Sequence, residues 1–486
     1  MTLRFLVLFV ASLRAFLPVA TAAQSAGKNN DAKVFRAGAA TSNITPPLGI
    51  SLDGPIGQNG PATHVHDEIH ARCLVLDDGA TRVAIVVCDS TMINRSVFDR
   101  AKAFVQAETG LPANRMLMAA THTHSTPRPI EFLPGQLEVD YHGFLARRIA
   151  DGVRRAINQL APAKIGWGSG AKPELIFNRR WYLTPGTKLP NPFGTTTDKV
   201  QMNPPSGSPN LLAPAGPVDP QIFVLSVQHA DGRPLALLAN YGLHYIGGTR
   251  AGAISADYFG AFADRIQELL QVDRQDPAFV GIMSNGTSGD VNGVDPKTRP
   301  APQPPYVRIR AVADAVAQEV LRIHQGIQHR AWVPLGMNES ELELQVRRPT
   351  AERLQWATST WKQVSDASRL TRPQIYARET LALAKFPPTT RLKLQTINIG
   401  ELAIAAAPCE VFAATGLEIK KQSPQKQTFT ISLANGYSGY LPTPRDHELG
   451  GYETWAARSS LLEVTASEKI RDELLRLLRL PGPAGE

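Results

Sequence analysis

A chain of 486 residues, 43% hydrophobic and 19% charged, carries enough apolar material for a sizeable core, which excludes an intrinsically disordered protein. Its formal charge of +8 is spread thinly. No block of five or six basic residues exists, only pairs such as Arg179-Arg180, Arg347-Arg348 and Lys420-Lys421, so the charge excludes a polycationic nucleic-acid binder and allows at most weak attraction to an anionic membrane surface.

The first residues, MTLRFLVLFVASLRAFLPVATAAQ, join an early Arg4 to an apolar stretch and then to small residues around Ala20–Ala23. That pattern predicts a signal peptide over 1–23, a flexible linker over 24–33 and an exported, soluble mature chain. Arg14 interrupts the apolar stretch and leaves it short for a membrane span. Further on, "ARCLVL" and "RVAIVVC" (82–88) read as strands, making Cys73 and Cys88 core thiols. With Cys409 as the third cysteine, one disulfide is the most the chain can form.

A helix is expected over 95–108, a strand over 115–120 and a helix over 141–159. The Pro/Gly-rich segment 184–220 is too long for a simple connection and reads as either disordered or a lid over a site. "QIFVLSVQ" (221–228) and "PLALLAN" (234–240) flank a turn and form a hairpin. Beyond it come a helix over 258–271, a buried strand over 278–284 and an amphipathic helix over 306–326. Helices follow over 351–367, 373–386 and 465–479, with a second hairpin over 391–407 between them. Strands alternating with helices predict an α/β fold in which mixed β-sheets are layered with helices. One catalytic domain is expected over 34–480, followed by a short tail.

Residues with useful chemistry fall just after strands. The strand at 115–120 runs into His122 and His124, that at 234–240 into His244, and that at 278–284 into Asp290 and Asn292. "ELAIAAA" leads to Glu410, and "TFTISLA" (428–434) leads to Tyr437 and Tyr440. Five such ends are expected if a site gathers at the carboxyl edge of a sheet. Each residue also has a plainer reading. The His-x-His pair is a metal half-site, a proton-transfer pair or two solvated side chains. Glu410 is a metal ligand or the cap of a following helix. The tyrosines are ligands or apolar filling. Taken jointly, two histidines, a glutamate and a phenol make a plausible zinc shell.

The order of these motifs resembles the catalytic domain of the neutral/alkaline (non-lysosomal) ceramidase family. The likeness begins at "RAGAATSNITPPLGISLDG" (36–54) and "HDEIHARCLVLDDGATRVAIVVCD" (66–89). It continues through "THTHS", "FNRR" (177–180), "NYGLHY", "SNGTSGDVNG", "APCEVFAATG" (407–416) and "NGYSGYLPTPRDHELGGYETW" (435–455). The resemblance implies a single zinc ion held by His122, His244, Glu410 and Tyr440, and hydrolysis of the amide of an N-acylsphingosine. It implies His124 beside the metal facing the scissile group, Tyr452 at the developing oxyanion and Arg179 as a basic group near the site.

Two departures are evident. The family's Gly-Asp-Val-Ser, whose serine is the proposed nucleophile, is here Gly289-Asp290-Val291-Asn292, and Ser288 would need a different loop path to replace it. The immunoglobulin-like C-terminal domain of characterised ceramidases is expected to be lacking. The expected activity is therefore zinc-dependent hydrolysis of an amide (N-acyl) bond using metal-activated water. His124 or Asp290 would accept the proton, and Asn292 would donate to the substrate carbonyl. The alternatives are an ester or lactone hydrolase and a non-catalytic, zinc-containing lipid- or glycan-binding protein.

Overall fold

Unbroken apolar runs such as "ARCLVL" and "RVAIVVC" have no polar face to turn outward, so they must be covered on both sides. The computed structural model shows how. It describes residues 1–2, 33–52, 60–127, 136–273, 275, 278–366 and 369–481. The predicted signal peptide and linker lie almost wholly outside the described residues. The chain divides into Met1–Lys33 and Val34–Glu486, and every element below belongs to the second unit.

The main sheet has eight strands: β1 (Arg36–Asn43), β2 (His70–Asp77), β3 (Arg82–Cys88), β4 (Met116–Ala120), β5 (Ala161–Ala171), β6 (Gln221–His229), β7 (Pro234–Tyr241) and β8 (Val280–Asn285). Their order is β8-β7-β6-β5-β1-β2-β3-β4. The middle is antiparallel, and the two outermost pairs, β7 with β8 and β3 with β4, are parallel. A second sheet contains β9 (Leu335–Gln345), β10 (Thr389–Ile399), β11 (Leu402–Ala406) and β12 (Gln427–Ile431), in that order. Its last pair, β11 with β12, is also parallel.

The sheets pack face to face. Leu74, Ile85, Leu117, Leu225, Leu238 and Ile282 of the first meet Ile397, Ile404, Phe429 and Ile431 of the second. The period of two sends Cys73, Val86 and Met118 to the opposite face, under α1 (Arg95–Thr109) and α2 (Gln136–Asn158). Along the same sheet, α3 (Asp257–Leu270) and α4 (Val307–Gln325) cover β6 and β7 with Phe259, Phe262, Val312 and Val316. Beyond the short helices α5 (Ala351–Trp361) and α6 (Arg372–Leu383), α7 (Ala413–Gln422) joins the outer layer of the second sheet. The layer is completed after α8 (Pro444–Leu449) by α9 (Ala466–Arg479). The architecture is α/β, with mixed sheets between helical layers, as expected.

The two hairpins form at the expected places. The helix expected over 351–367 stops at Trp361. Segment 184–220 carries regular structure: Val200–Met202 and Leu211–Pro214 flank Arg180–Leu183 in a small antiparallel sheet. Cys73, Cys88 and Cys409 are buried free thiols. Among the described residues, no helix is long and apolar enough to cross a membrane.

The strand ends are stitched across the sheets. Ala120 N donates to Leu433 O, Asn435 N to Met118 O and Ser432 N to Asn285 O. The carboxyl ends of β4, β8 and β12 are thereby gathered at one place.

Candidate metal centre

His122 follows β4 by two residues, with its amide bonded to Ser90 O and its backbone in the left-handed region at φ 78°. A non-glycine residue held there stores strain, which the surrounding bonds must sustain. Its Nδ1 lies 2.7 Å from Thr91 O. A carbonyl can only accept, so Nδ1 carries the proton and Nε2 presents a lone pair. His244 follows β7 and is built alike: Nδ1 sits 3.0 Å from Ser288 O, so Nε2 again presents its lone pair, here with Arg179 Nη1 3.3 Å away. Burial above all, then Arg179 and the other two histidines, pushes its pKa well below the ordinary value and keeps it neutral.

These rings stand edge to face, centroids 4.6 Å apart. His124 joins them with Nε2 3.3 Å from His122 Nε2, its ring stacked at 3.7 Å on Tyr245. One nitrogen from each of the three histidines lies within 4.8 Å of the others, a spacing that could hold a metal ion.

Glu410 arrives from the other sheet. It follows β11, and the two-residue strand Glu410–Val411 pairs in parallel with Tyr440–Leu441, setting Glu410 beside Tyr440. The carboxylate is buried. Oε1 accepts from Tyr437 Oη at 3.2 Å, and Oε2 lies 3.2 Å from His122 Nε2 with no hydrogen-bond partner among the described residues. Glu410 Oε2 and the lone pair on His122 Nε2 therefore face each other, a repulsion unless a proton or a cation lies between them. A cation held by both would remove that repulsion, so the donor set fits a metal ion.

Arg179 Nη1 is 3.3 Å from His244 Nε2, Nη2 donates to Gly289 O, and the guanidinium lies 5.9 Å from the Tyr440 ring centre. Tyr440 Oη is 3.5 Å from Tyr452 Oη. Burial first, then Glu410 and Tyr452, raises the Tyr440 pKa well above the ordinary phenol value. The structure thus gathers His122, His124, His244, Glu410, Tyr440, Tyr452 and Arg179.

Asp290 and Asn292 are engaged elsewhere. Asp290 Oδ1 accepts from Ala413 N at the start of α7 at 2.8 Å, and Oδ2 accepts from Asn178 Nδ2 at 2.9 Å. The cap suggested for Glu410 is supplied by Asp290 instead. Asn292 pairs with Phe177 in a short bridge, and its amide donates to Asn203 Oδ1 at 3.3 Å. Ser288 Oγ lies 3.3 Å from His244 Nδ1, behind the ring rather than on its Nε2 side.

Two contacts went unread in the sequence: Tyr437 on Glu410, and Tyr245 beneath His124. Tyr245 directly follows His244, and that adjacency was its only signal.

No protein-family model matches the sequence, and neither does any curated protein. Solved structures do. Neutral ceramidase from Pseudomonas aeruginosa superimposes with a TM-score of 0.70 at 19% identity, over 94% of this chain and 76% of its own. A ceramidase complexed with C2 gives 0.69 at 18% identity, over 93% and 77%. The chain has the neutral ceramidase fold. At such identity the likeness fixes the architecture, and the jobs of single residues within this ceramidase fold rest on the distances above.

Proposed function

We propose that the protein is a zinc-dependent hydrolase of an amide, N-acyl bond, in which water is the nucleophile. The observation that carries the reading is the facing pair of His122 Nε2 and Glu410 Oε2, with His244 Nε2 beside them. His122, His244 and Glu410 would hold the ion, with Tyr440 as the fourth donor. Bound there, zinc would polarise the scissile carbonyl and bring the pKa of water down to about 7.

The remaining steps fall to this chain's own groups. His124, fixed against Tyr245, takes the proton from the attacking water at Nε2 and returns it to the departing nitrogen. The Tyr452 hydroxyl and the Arg179 guanidinium donate to the oxyanion. Asp290 does not move protons in this scheme; it holds the 286–292 turn against α7. Asn292, with an amide where the resembled family has a hydroxyl and that amide turned to Asn203, cannot form an acyl-enzyme.

An N-acylated lipid is the favoured substrate class. Two structures with this fold carry ceramidase in their names, and an apolar cavity of about 610 Å³ lined by Leu175, Phe177, Ile246 and Pro304 adjoins the His244 loop. The export signal over 1–23 belongs to the same reading, since it would place the enzyme where extracellular or periplasmic lipid is available.

The deciding experiment is a panel of N-acyl lipids, esters and lactones, run on zinc-loaded protein beside Asn292→Ser. Amide turnover that chelation abolishes, with about one zinc per chain and no trappable acyl-enzyme, is the expected result. An adduct on Ser288 would overturn the water mechanism. Ligand binding without turnover across the whole panel would favour the lipid- or glycan-binding alternative that Asn292 suggests.

A further inference from the structure

A second cavity, of about 470 Å³, is walled by Arg347, Arg348, Arg353 and His447 over a floor that includes Phe193 and Trp455. Half-buried Arg347 and Arg353 and exposed Arg348 lack the carboxylate partners that several other arginines have. Arg72 is matched with Asp89, Arg180 with Glu453 and Arg458 with Glu379. Here Arg347 donates to Thr454 O, Ser460 O and Ser460 Oγ, and Arg348 to Ala384 O. Arg353 lies 3.6 Å over the Phe193 ring. All of these partners are uncharged.

Buried Arg347 Nε and Arg353 Nη1 have no hydrogen-bond partner among the described residues. Two carboxylates reach the same cavity. Asp198 is already taken by Gly451 N, Trp455 Nε1 and Asn191 Nδ2, which leaves exposed Glu448 at the rim. Burial, then Arg347 and Arg180, pushes His447 down to about 3, so it sits neutral in a positive field.

We propose that this cavity binds a phosphoryl group, the unmatched guanidiniums of Arg348 and Arg353 gripping its oxygens with Arg347 behind them. Guanidinium forks fit tetrahedral oxyanions, and three guanidiniums against the carboxylates of Asp198 and Glu448 leave the cavity net positive. The aromatic floor leaves room for an organic portion, so the group could arrive as free phosphate or as the headgroup of a lipid at a membrane surface. The cavity is also framed by Gly450 and Thr454, which bracket Tyr452, so occupancy would brace the segment that carries the oxyanion tyrosine.

The test is calorimetric titration of inorganic phosphate into zinc-loaded protein, its His122→Ala variant and the Arg348→Ala/Arg353→Ala double variant. The expected result is saturable binding, retained in His122→Ala and weakened about 100-fold in the double variant, roughly tenfold per lost charged contact. Glu448→Gln, a surface change that does not threaten folding, should tighten binding severalfold. Co-sedimentation with phosphatidylcholine vesicles, with and without phosphatidic acid, separates the sources: arginine-dependent capture by phosphatidic acid indicates a headgroup, and binding of phosphate alone indicates a soluble ligand. Phosphate binding that is lost in His122→Ala, that is unchanged in both the double variant and Glu448→Gln, or that is absent in solution and on vesicles alike overturns the proposal.

Discussion

The turn carrying Asp290 and the turn carrying Glu410 invite the same reading, and the fold uses them in opposite ways. Both carboxylates are buried, both follow a strand's carboxyl end, and the turns touch where a Cβ on Gly289 would lie 2.5 Å from Glu410 O. Asp290 has a donor on each oxygen and is spent on holding two segments together. Glu410 has one oxygen bonded to Tyr437 and one left bare toward His122. A buried carboxylate with an unused oxygen is costly unless something charged or protonated meets it, so the count of donors separates a brace from a ligand.

The largest effect should come from Glu410→Gln. It removes the charge from the bare oxygen, and metal content measured by elemental analysis should fall from about one ion per chain to a small fraction, with loss of hydrolysis. Full metal occupancy in that variant would end the assignment of Glu410 as a ligand. Asp290→Ala should do the reverse. It strips the cap from α7 and the bond from Asn178, costing about 2–3 kcal/mol in denaturant unfolding while metal stoichiometry stays near one. A collapse of metal binding with unchanged stability would reverse the two roles.

The last effect is in pH. Burial raises Asp290 from 3.8 to about 6, against the lowering by Ala413 N and Asn178, so the folded protein holds a proton that the unfolded chain has released between those values. The stabilisation tied to that proton is complete below pH 3.8 and is lost as pH rises through 6. Asp290→Asn should therefore remove a slope of at most about 1.4 kcal/mol per pH unit from this window. Denaturation midpoints for the two proteins that run parallel from pH 4 to 6.5 would contradict it.

Much of the site was legible because its residues follow strands whose apolar runs are plain. His122, His244 and Glu410 were expected just after strands and are found there, whereas Tyr440 opens a short strand of its own beside Glu410. What stayed hidden depended on packing. Strand β5, "APAKIGWGSGA", went unread because Gly166, Gly168 and Gly170 occupy its alternate positions. A Cβ on any of them would strike α4 or the residues just after it, such as Ile323 or Ile327. The glycines allow close approach of the helix, and the same absence of side chains removes the hydrophobic signal. Strand β9, "LGMNESELELQ", hid behind Glu339, Glu341 and Glu343, whose alternation marks a half-exposed strand. That Asp290 rather than Glu410 caps α7 could not be read, since hydrogen-bond counts exist only once the turns are folded together.

The hydrogen bonds that join β4 to the segment after β12 have a consequence for how the protein matures. Those partners lie far apart in sequence, as do Lys102 of α1 and the Asn435 Oδ1 to which it donates, at a separation of 333 residues. Contacts of that range form late, because the intervening chain must first be ordered. The imidazoles of one sheet and the carboxylate of the other therefore remain strangers through translation and early collapse. The proposed ligand set would therefore be complete only in a finished chain.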